Sequence, residues 1–243
     1  MKKSIFLFFL AVCLSCTFFS CGGVNKKTLK RVQLMEEKVA SPSTIDELKD
    51  AIKKFEHRAE DLIATNEQVG VWYKILATRY LDNEMYAEAL DALENAIRYY
   101  PANQNLFYYV GVSAGYMAKA SLDFRATGST SERERYLLLS ESGYVRAIEL
   151  EPRFARALYG LGVLYTFEMN QPAKAIPLLE ELLTIEKKNT EGMMVLARAY
   201  YMVYDFDSAL AMYDRIISTS TAKERIAEAE KNKRIVLDAM YQQ

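Results

Sequence analysis

Apolar residues recur every three or four positions along most of the chain, which is the period of an α-helix. Leu29, Val32, Met35 and Val39 mark the first such stretch, and a Ser-Pro-Ser segment at 41–43 ends it. No segment alternates apolar and polar residues in the manner of a β-strand. The pattern therefore predicts a chain built almost entirely of helices.

A second amphipathic stretch follows directly. Thr44 and Glu47 have the spacing of a capping box, in which each side chain accepts a hydrogen bond from the other residue's backbone amide. The residues beyond this pair predict one long apolar stripe on a helix. The stripe consists of Ile45, Leu48, Ala51, Ile52, Phe55, Ala59 and Leu62.

From residue 70 onward the pattern repeats as pairs of helices. The first helix of each pair carries large apolar residues around one small residue, which lets two helices approach closely. A second apolar helix follows in each pair. The matching positions are Tyr73, Leu76, Ala77 and Tyr80, then Phe107, Val110, Gly111 and Ala114, then Leu158, Leu161, Gly162 and Tyr165, and last Met193, Leu196, Ala197 and Tyr200.

The spacing between the pairs is close to constant. Phe107 follows Tyr73 by 34 residues, and Met193 follows Leu158 by 35. Phe107 and Leu158 are 51 residues apart, which places 17 extra residues in the second pair. The extra residues surround 124–130, the most turn-like stretch of the body. We therefore expect them to lengthen both helices of the second hairpin.

The period and the small residues resemble the tetratricopeptide repeat, a helix–turn–helix unit of 34 residues. The resemblance covers residues 70–221 as four repeats, with a degenerate helical pair at 26–69 and a capping helix at 222–243. It implies an all-α fold, a solenoid of helix–turn–helix units. A stack of repeats needs a polar closing element for solubility, which fits the final helix.

The first twenty residues have the parts of a bacterial export signal, namely a basic start, an apolar run and small residues at its end. The apolar run is short for a membrane-spanning helix, although an uncut membrane anchor is the alternative. All three cysteines, Cys13, Cys16 and Cys21, lie in or at the end of this segment. The remaining chain therefore has neither a disulfide framework nor a catalytic thiol.

Residues 18–21 resemble the relaxed lipobox of bacterial lipoproteins, of the kind that spirochaetes tolerate. The resemblance implies a signal peptide at 1–20, acyl chains on Cys21 and a flexible spacer at 21–25. Cys16 is the alternative lipidation site. Two or more acyl chains anchor a protein stably. Gly22 stands where, by family analogy, an Asp retains lipoproteins in the inner membrane. The expected location is therefore the cell envelope, on the outer membrane and facing the periplasm.

The charge balance and the residue types present argue against several classes of function. Lys and Arg number 31 against 32 Asp and Glu, and this balance argues against a nucleic-acid partner. Residues 111–115 match the G-x-S-x-G pattern of serine hydrolases, but they fall in a predicted helix, and the single histidine, His57, precedes the serine. One histidine without cysteines does not build a zinc site. We therefore predict no catalysis, no cofactor and no metal.

The resemblance also implies a concave binding surface, lined by the first helices of the stacked repeats. One position beyond the core face of these helices, aromatic and basic residues recur. Tyrosine offers contact area and a hydrogen bond, and arginine favours carboxylates. Packing of these tyrosines against neighbouring helices is the alternative. The predicted partner-binding groove consists of Lys74, Tyr108, Val112, Tyr116, Arg156, Tyr159, Val163, Met194, Arg198 and Tyr201.

These features favour a lipid-anchored periplasmic scaffold that binds a protein or peptide partner in an envelope complex. The resemblance also implies an alternative. Some treponemal lipoproteins of this type partner the solute-binding protein of a TRAP-type transporter and handle an apolar ligand. An open groove favours the scaffold, whereas a closed apolar cavity favours ligand handling.

Overall fold

The computed structural model describes residues 44–123 and 130–241. Within these residues nine helices follow one another and no strand occurs, so the predicted all-α fold class is confirmed. The helices are α1 (Ile45–Asp82), α2 (Tyr86–Tyr99), α3 (Gln104–Asp123), α4 (Thr130–Leu150), α5 (Ala155–Val163), α6 (Pro172–Ile185), α7 (Thr190–Met202), α8 (Phe206–Thr219) and α9 (Lys223–Tyr241).

The N-terminal predictions lie outside the described residues. They concern the signal peptide at 1–20, the lipidated Cys21 and the helical stretch between Leu29 and Val39. Among the helices of the described part, none has both the length and the apolar run that crossing a bilayer requires.

Helix α1 begins at the predicted capping box. The Thr44 amide donates to Glu47 Oε2 at 3.0 Å, and the Glu47 amide donates to Thr44 Oγ1 at 3.2 Å. The helix is 38 residues long and passes through residue 70 without a break, although we placed a repeat boundary there. The division of the chain into a degenerate pair at 26–69 and four repeats at 70–221 stays a prediction.

The apolar stripe on the first half of α1 is exposed. Ile45 keeps 72% and Leu62 keeps 66% of their surface in contact with solvent, and Leu48, Ile52 and Phe55 are exposed as well. Of the stripe residues only Ala51 is half-buried. No described residue between 44 and 63 covers this face.

The packed core lies in the second of the two units into which the chain divides, Ala64–Gln243. Here helices pack against their neighbours in chain order, α3 on α4, α5 on α6, α7 on α8, and α9 on α8. The predicted small residues are buried at the contacts between helices, as at Ala77 and Ala197. A methyl group on Gly162 would stand 2.6 Å from Leu179 Cδ2, so only glycine permits this approach.

The second helix pair is long, as the spacing predicted. Helices α3 and α4 have 20 and 21 residues, whereas α6, α7 and α8 have 13 or 14. The two long helices are almost in backbone contact, because a Cβ on Gly143 would meet the Gly111 backbone nitrogen at 2.6 Å. Ser140 Oγ crosses the same gap and donates to the Gly111 carbonyl at 2.7 Å.

Helix α5 ends in a π-helical turn, Leu164–Glu168. The amide of Met169 donates to the Leu164 carbonyl, five residues back, at 3.0 Å. Ten residues separate Tyr165 from Ala175, one more than separates the equivalent residues of the first and fourth pairs. The π-helical turn therefore accommodates the one extra residue of the third pair.

Candidate functional site

The ten predicted groove residues make local contacts at several places along the described helices. Near the first pair, the Lys74 ammonium lies 4.3 Å from the centre of the Tyr100 ring. The ring of Tyr116 is parallel to that of Tyr86 at a distance of 4.4 Å between centres. Each of these predicted residues is thus engaged locally with a side chain outside the predicted set.

Tyr108 and Arg156 belong to a second cluster. The Arg156 guanidinium donates to Asn105 Oδ1 at 2.7 Å and lies 4.8 Å from the centre of the Tyr108 ring. The Tyr108 ring also contacts those of Tyr144 and Phe154. Burial raises the pKa of the Tyr108 phenol, and the positive charge of Arg156 partly opposes this. The Tyr108 ring therefore packs against neighbouring side chains and is only partly exposed to solvent.

Three further predicted residues, Val112, Tyr159 and Val163, are half-buried against the main core. Beside Tyr159, Arg225 of α9 forms an ion pair with Glu191 at 2.7 Å. Burial is the main cause of the raised pKa of the Tyr159 phenol. At these positions the alternative interpretation, packing against neighbouring helices, describes the structure better than an open groove does.

The last three predicted residues, Met194, Arg198 and Tyr201, line one pocket of about 250 Å³. Its walls come from the end of α5, from α7 and from α9, with one residue of α8. The pocket opens to solvent, and Phe167 of its lining is 54% exposed. Its other lining residues are Phe167, Val195, Tyr213, Glu228, Asn232, Ile235 and Val236.

Arg198 is the charged group of the pocket that lacks a counter-ion among the described residues. Its guanidinium lies 5.3 Å from the centre of the Tyr201 ring, and no carboxylate of the described residues forms an ion pair with it. Glu228, on the opposite wall, accepts a hydrogen bond from Arg225 at 3.2 Å. Burial raises the pKa of the Tyr213 phenol. The positive charge of Arg198, which lines the same pocket, partly opposes this.

Sequence reasoning missed the walls that Phe167 and helix α9 contribute. No sequence pattern predicted that a π-helical turn would place Phe167 beside residues of α7 and α9 in the pocket lining. Helix α9 was predicted as a capping helix, and Val236 on this helix is buried. Its role in the pocket depends on Glu228, Asn232 and Ile235, which the helical pattern did not distinguish.

The residues on which the prediction of no catalysis was based can be placed as well. Residues 111–115 lie inside α3, and Ser113 is fully buried. His57 is on the exposed part of α1, 3.8 Å from Glu60. Across 44–123 and 130–241 no group of His, Cys, Asp and Glu side chains is arranged to hold a metal ion.

Two segments of the chain, residues 76–114 and 166–230, match models of the tetratricopeptide repeat. Solved structures with the same fold include YrrB, described as a tetratricopeptide-repeat protein with an unusual peptide-binding site. It is 18% identical with a TM-score of 0.54, and the match covers 84% of this chain and 97% of that one. No curated protein matches the sequence.

Two other structures agree on the fold. The tetratricopeptide-repeat protein TTC0263 of Thermus thermophilus is 19% identical with a TM-score of 0.52, covering 67% of this chain and 78% of that one. MamA of Desulfovibrio magneticus is 15% identical with a TM-score of 0.51, covering 72% and 97%. The chain therefore contains tetratricopeptide repeats, and its fold is the all-α solenoid that they build.

Proposed function

We propose that this chain of tetratricopeptide repeats is a non-catalytic scaffold that binds an extended segment of a protein partner. The observation that carries the proposal is the pocket on α7 and α9, where the Arg198 guanidinium has no counter-ion among the described residues. Repeat solenoids bind partners through the surface of their first helices, and α5 and α7 are such helices here. The peptide-binding site described for YrrB supports the same class of function.

We further propose that the scaffold is a lipoprotein of the cell envelope, anchored through Cys21 to the outer membrane and facing the periplasm. The export signal and the lipobox-like residues 18–21 support this location. The absence of cysteine beyond residue 21 fits a body that needs no disulfide. An envelope complex is the setting that such an anchor suggests.

The alternative function is ligand handling beside a TRAP-type solute-binding protein. It requires a closed apolar cavity, and the pocket at Arg198 opens to solvent, with charged residues among its lining. This geometry favours the scaffold. A serine hydrolase is disfavoured by the burial of Ser113 within α3.

Photo-crosslinking in intact cells tests the scaffold. We place p-benzoylphenylalanine at Phe167, which is 54% exposed at the pocket, and at Leu138, which is 53% exposed on α4, as a control. We expect one dominant protein adduct from the Phe167 site that the Leu138 site does not give. An adduct of small-molecule mass without any protein adduct contradicts the scaffold and supports ligand handling.

The anchor is tested separately by acyl labelling. We expect the Cys21→Ala protein to lose its acyl label and to leave the membrane fraction, while Cys16→Ala keeps both. If Cys21→Ala retains its label and its membrane association, the proposed anchor is wrong. This outcome does not affect the scaffold proposal.

A further inference from the structure

The pocket at Arg198 owes one wall to the π-helical turn. Phe167 lies in this turn and lines the pocket, while the next residue, Glu168, faces the long hairpin. There Arg133 of α4 donates to Glu168 Oε2 at 2.8 Å and to the Glu168 carbonyl at 3.4 Å. The turn that carries Phe167 is therefore tied to α4 through Glu168, the residue next to it.

The walls suit an aromatic side chain. The rings of Phe167 and Tyr201 offer edge or face contacts to a third ring, and thioethers such as Met194 pack favourably against aromatic rings. Val195 and Ile235 complete the apolar lining. The volume of about 250 Å³ lies below the roughly 300–1,000 Å³ of sites for drug-sized ligands, and it fits one large side chain.

The charges suit a carboxylate beside that ring. Arg198 forms no ion pair with any described residue, and its guanidinium, held against Tyr201, keeps its donors available. The acid across the pocket, Glu228, pairs at 3.2 Å with Arg225, which also pairs with Glu191 at 2.7 Å, and Glu228 forms no ion pair with Arg198. Arginine binds carboxylates through charge-assisted and often bidentate hydrogen bonds.

We infer that the pocket recognises an aromatic residue of the partner that is adjacent to an Asp or Glu. The aromatic side chain enters between Phe167, Met194 and Tyr201. The neighbouring carboxylate accepts hydrogen bonds from the Arg198 guanidinium. This inference rests on the proposed scaffold function and names the feature of the partner that the scaffold recognises.

The test uses the blocked dipeptides acetyl-Trp-Asp-amide and acetyl-Trp-Asn-amide, which differ only in the charge of the second side chain. Binding is followed by NMR through the ¹³C-labelled methyl group of Met194, assigned with Met194→Leu. We expect the Asp dipeptide to shift this methyl resonance and to bind about tenfold more tightly than the Asn dipeptide. Arg198→Gln abolishes that difference. Arg234→Gln, an exposed arginine of α9 outside the pocket lining, preserves it.

Two outcomes overturn the inference. One is the absence of any Met194 shift at about 10 mM of either dipeptide, a concentration that reveals even millimolar affinity. The other is equal binding of the two dipeptides to the unaltered protein. If the crosslink from Phe167 still captures a protein partner, the scaffold stands and only this recognition rule fails. If both the crosslink and the titration fail, the proposed function fails as well.

Discussion

At the scale of single residues, Gly143 and Gly111 decide how closely the long helices approach. Added methyl groups usually meet flexible side chains, which move. At Gly143 the nearest atoms are the backbone nitrogen of Gly111 and the carbonyl oxygen of Phe107, at 2.6 and 2.8 Å. Neither atom moves without shifting helix α3. The pairing of α3 with α4 thus depends on the absence of one Cβ.

We predict that Gly143→Ala lowers the free energy of unfolding by about 3 kcal/mol, because overpacking against backbone has no cheap relaxation. The measurement is urea denaturation followed by circular dichroism. Gly115→Ala is the matched control on α3, since its new methyl group would meet only Ser140 Oγ at 3.4 Å. There the helix propensity of alanine favours the variant by up to about 1 kcal/mol. Equal losses at both positions would contradict the close approach.

At the scale of elements, helix α1 presents an apolar face that the described residues leave open. Ile52 and Phe55 lie at its centre, 56% and 42% exposed. An apolar patch of this length marks an interaction surface or an aggregation risk. The sequence predicts an amphipathic stretch immediately before α1, outside the described residues, and we expect that stretch to cover this face.

Removal of residues 26–43 from a chain that starts at Asn25 tests the expectation. We predict self-association and increased binding of a hydrophobic dye, because the α1 face then lacks its cover. Analytical ultracentrifugation and dye fluorescence are the measurements. Ile52→Gln with Phe55→Gln, introduced into the shortened chain, returns it to the monomer. A shortened chain that stays monomeric without extra dye binding would show that this segment does not cover the face.

Much of the fold was predictable from spacing, because the helical period and the close contacts at small residues are local requirements. The 51-residue interval predicted the long α3 and α4, and the capping box predicted the start of α1. The π-helical turn was not predictable in the same way. An interval of 35 residues shows that one residue is extra, but its location depends on which turn the surrounding packing can widen.

The site was less predictable than the fold. Tyr108, Tyr159 and Tyr201 are all half-buried against the core, yet of the three only Tyr201 lines the pocket. A tyrosine satisfies either role, since it has both an apolar ring and a polar hydroxyl. What separates the three is the position of helix α9, which no repeat position encodes. The role of the ten groove residues in binding a partner stays a prediction.

At the scale of the whole molecule, tyrosines with raised pKa values are distributed along the stack. Burial is the first cause of the raised pKa in each case. At two of them a hydrogen-bonded carboxylate contributes as well, since Tyr165 donates to Glu141 and Tyr200 to Glu180. The stack thus holds seven described phenols whose protonated form is favoured by folding. They are Tyr86, Tyr108, Tyr144, Tyr159, Tyr165, Tyr200 and Tyr213.

We predict that stability is constant up to about pH 9 and falls as the pH rises beyond about 10. Above that pH the unfolded chain releases phenolic protons that the folded chain retains, so unfolding is favoured. Urea denaturation at a series of pH values, with tyrosinate absorbance, measures the effect. Tyr144→Phe lessens the decline, because burial raises the pKa of Tyr144, whereas Tyr241→Phe at the exposed end of α9 leaves it unchanged. If stability declined identically with pH in both variants, the effect could not be assigned to the buried Tyr144.

The π-helical turn also has an evolutionary consequence. Insertion of one codon into a helix rotates every later residue by about 100°, which normally destroys the buried face. In this chain the change is absorbed within Leu164–Glu168, and Ala175, Leu179 and Leu182 of the next helix remain buried. An ancestral repeat of regular length could therefore gain an aromatic wall by a single in-frame insertion. In such arrays, new specificity can arise one repeat at a time without a change in the core.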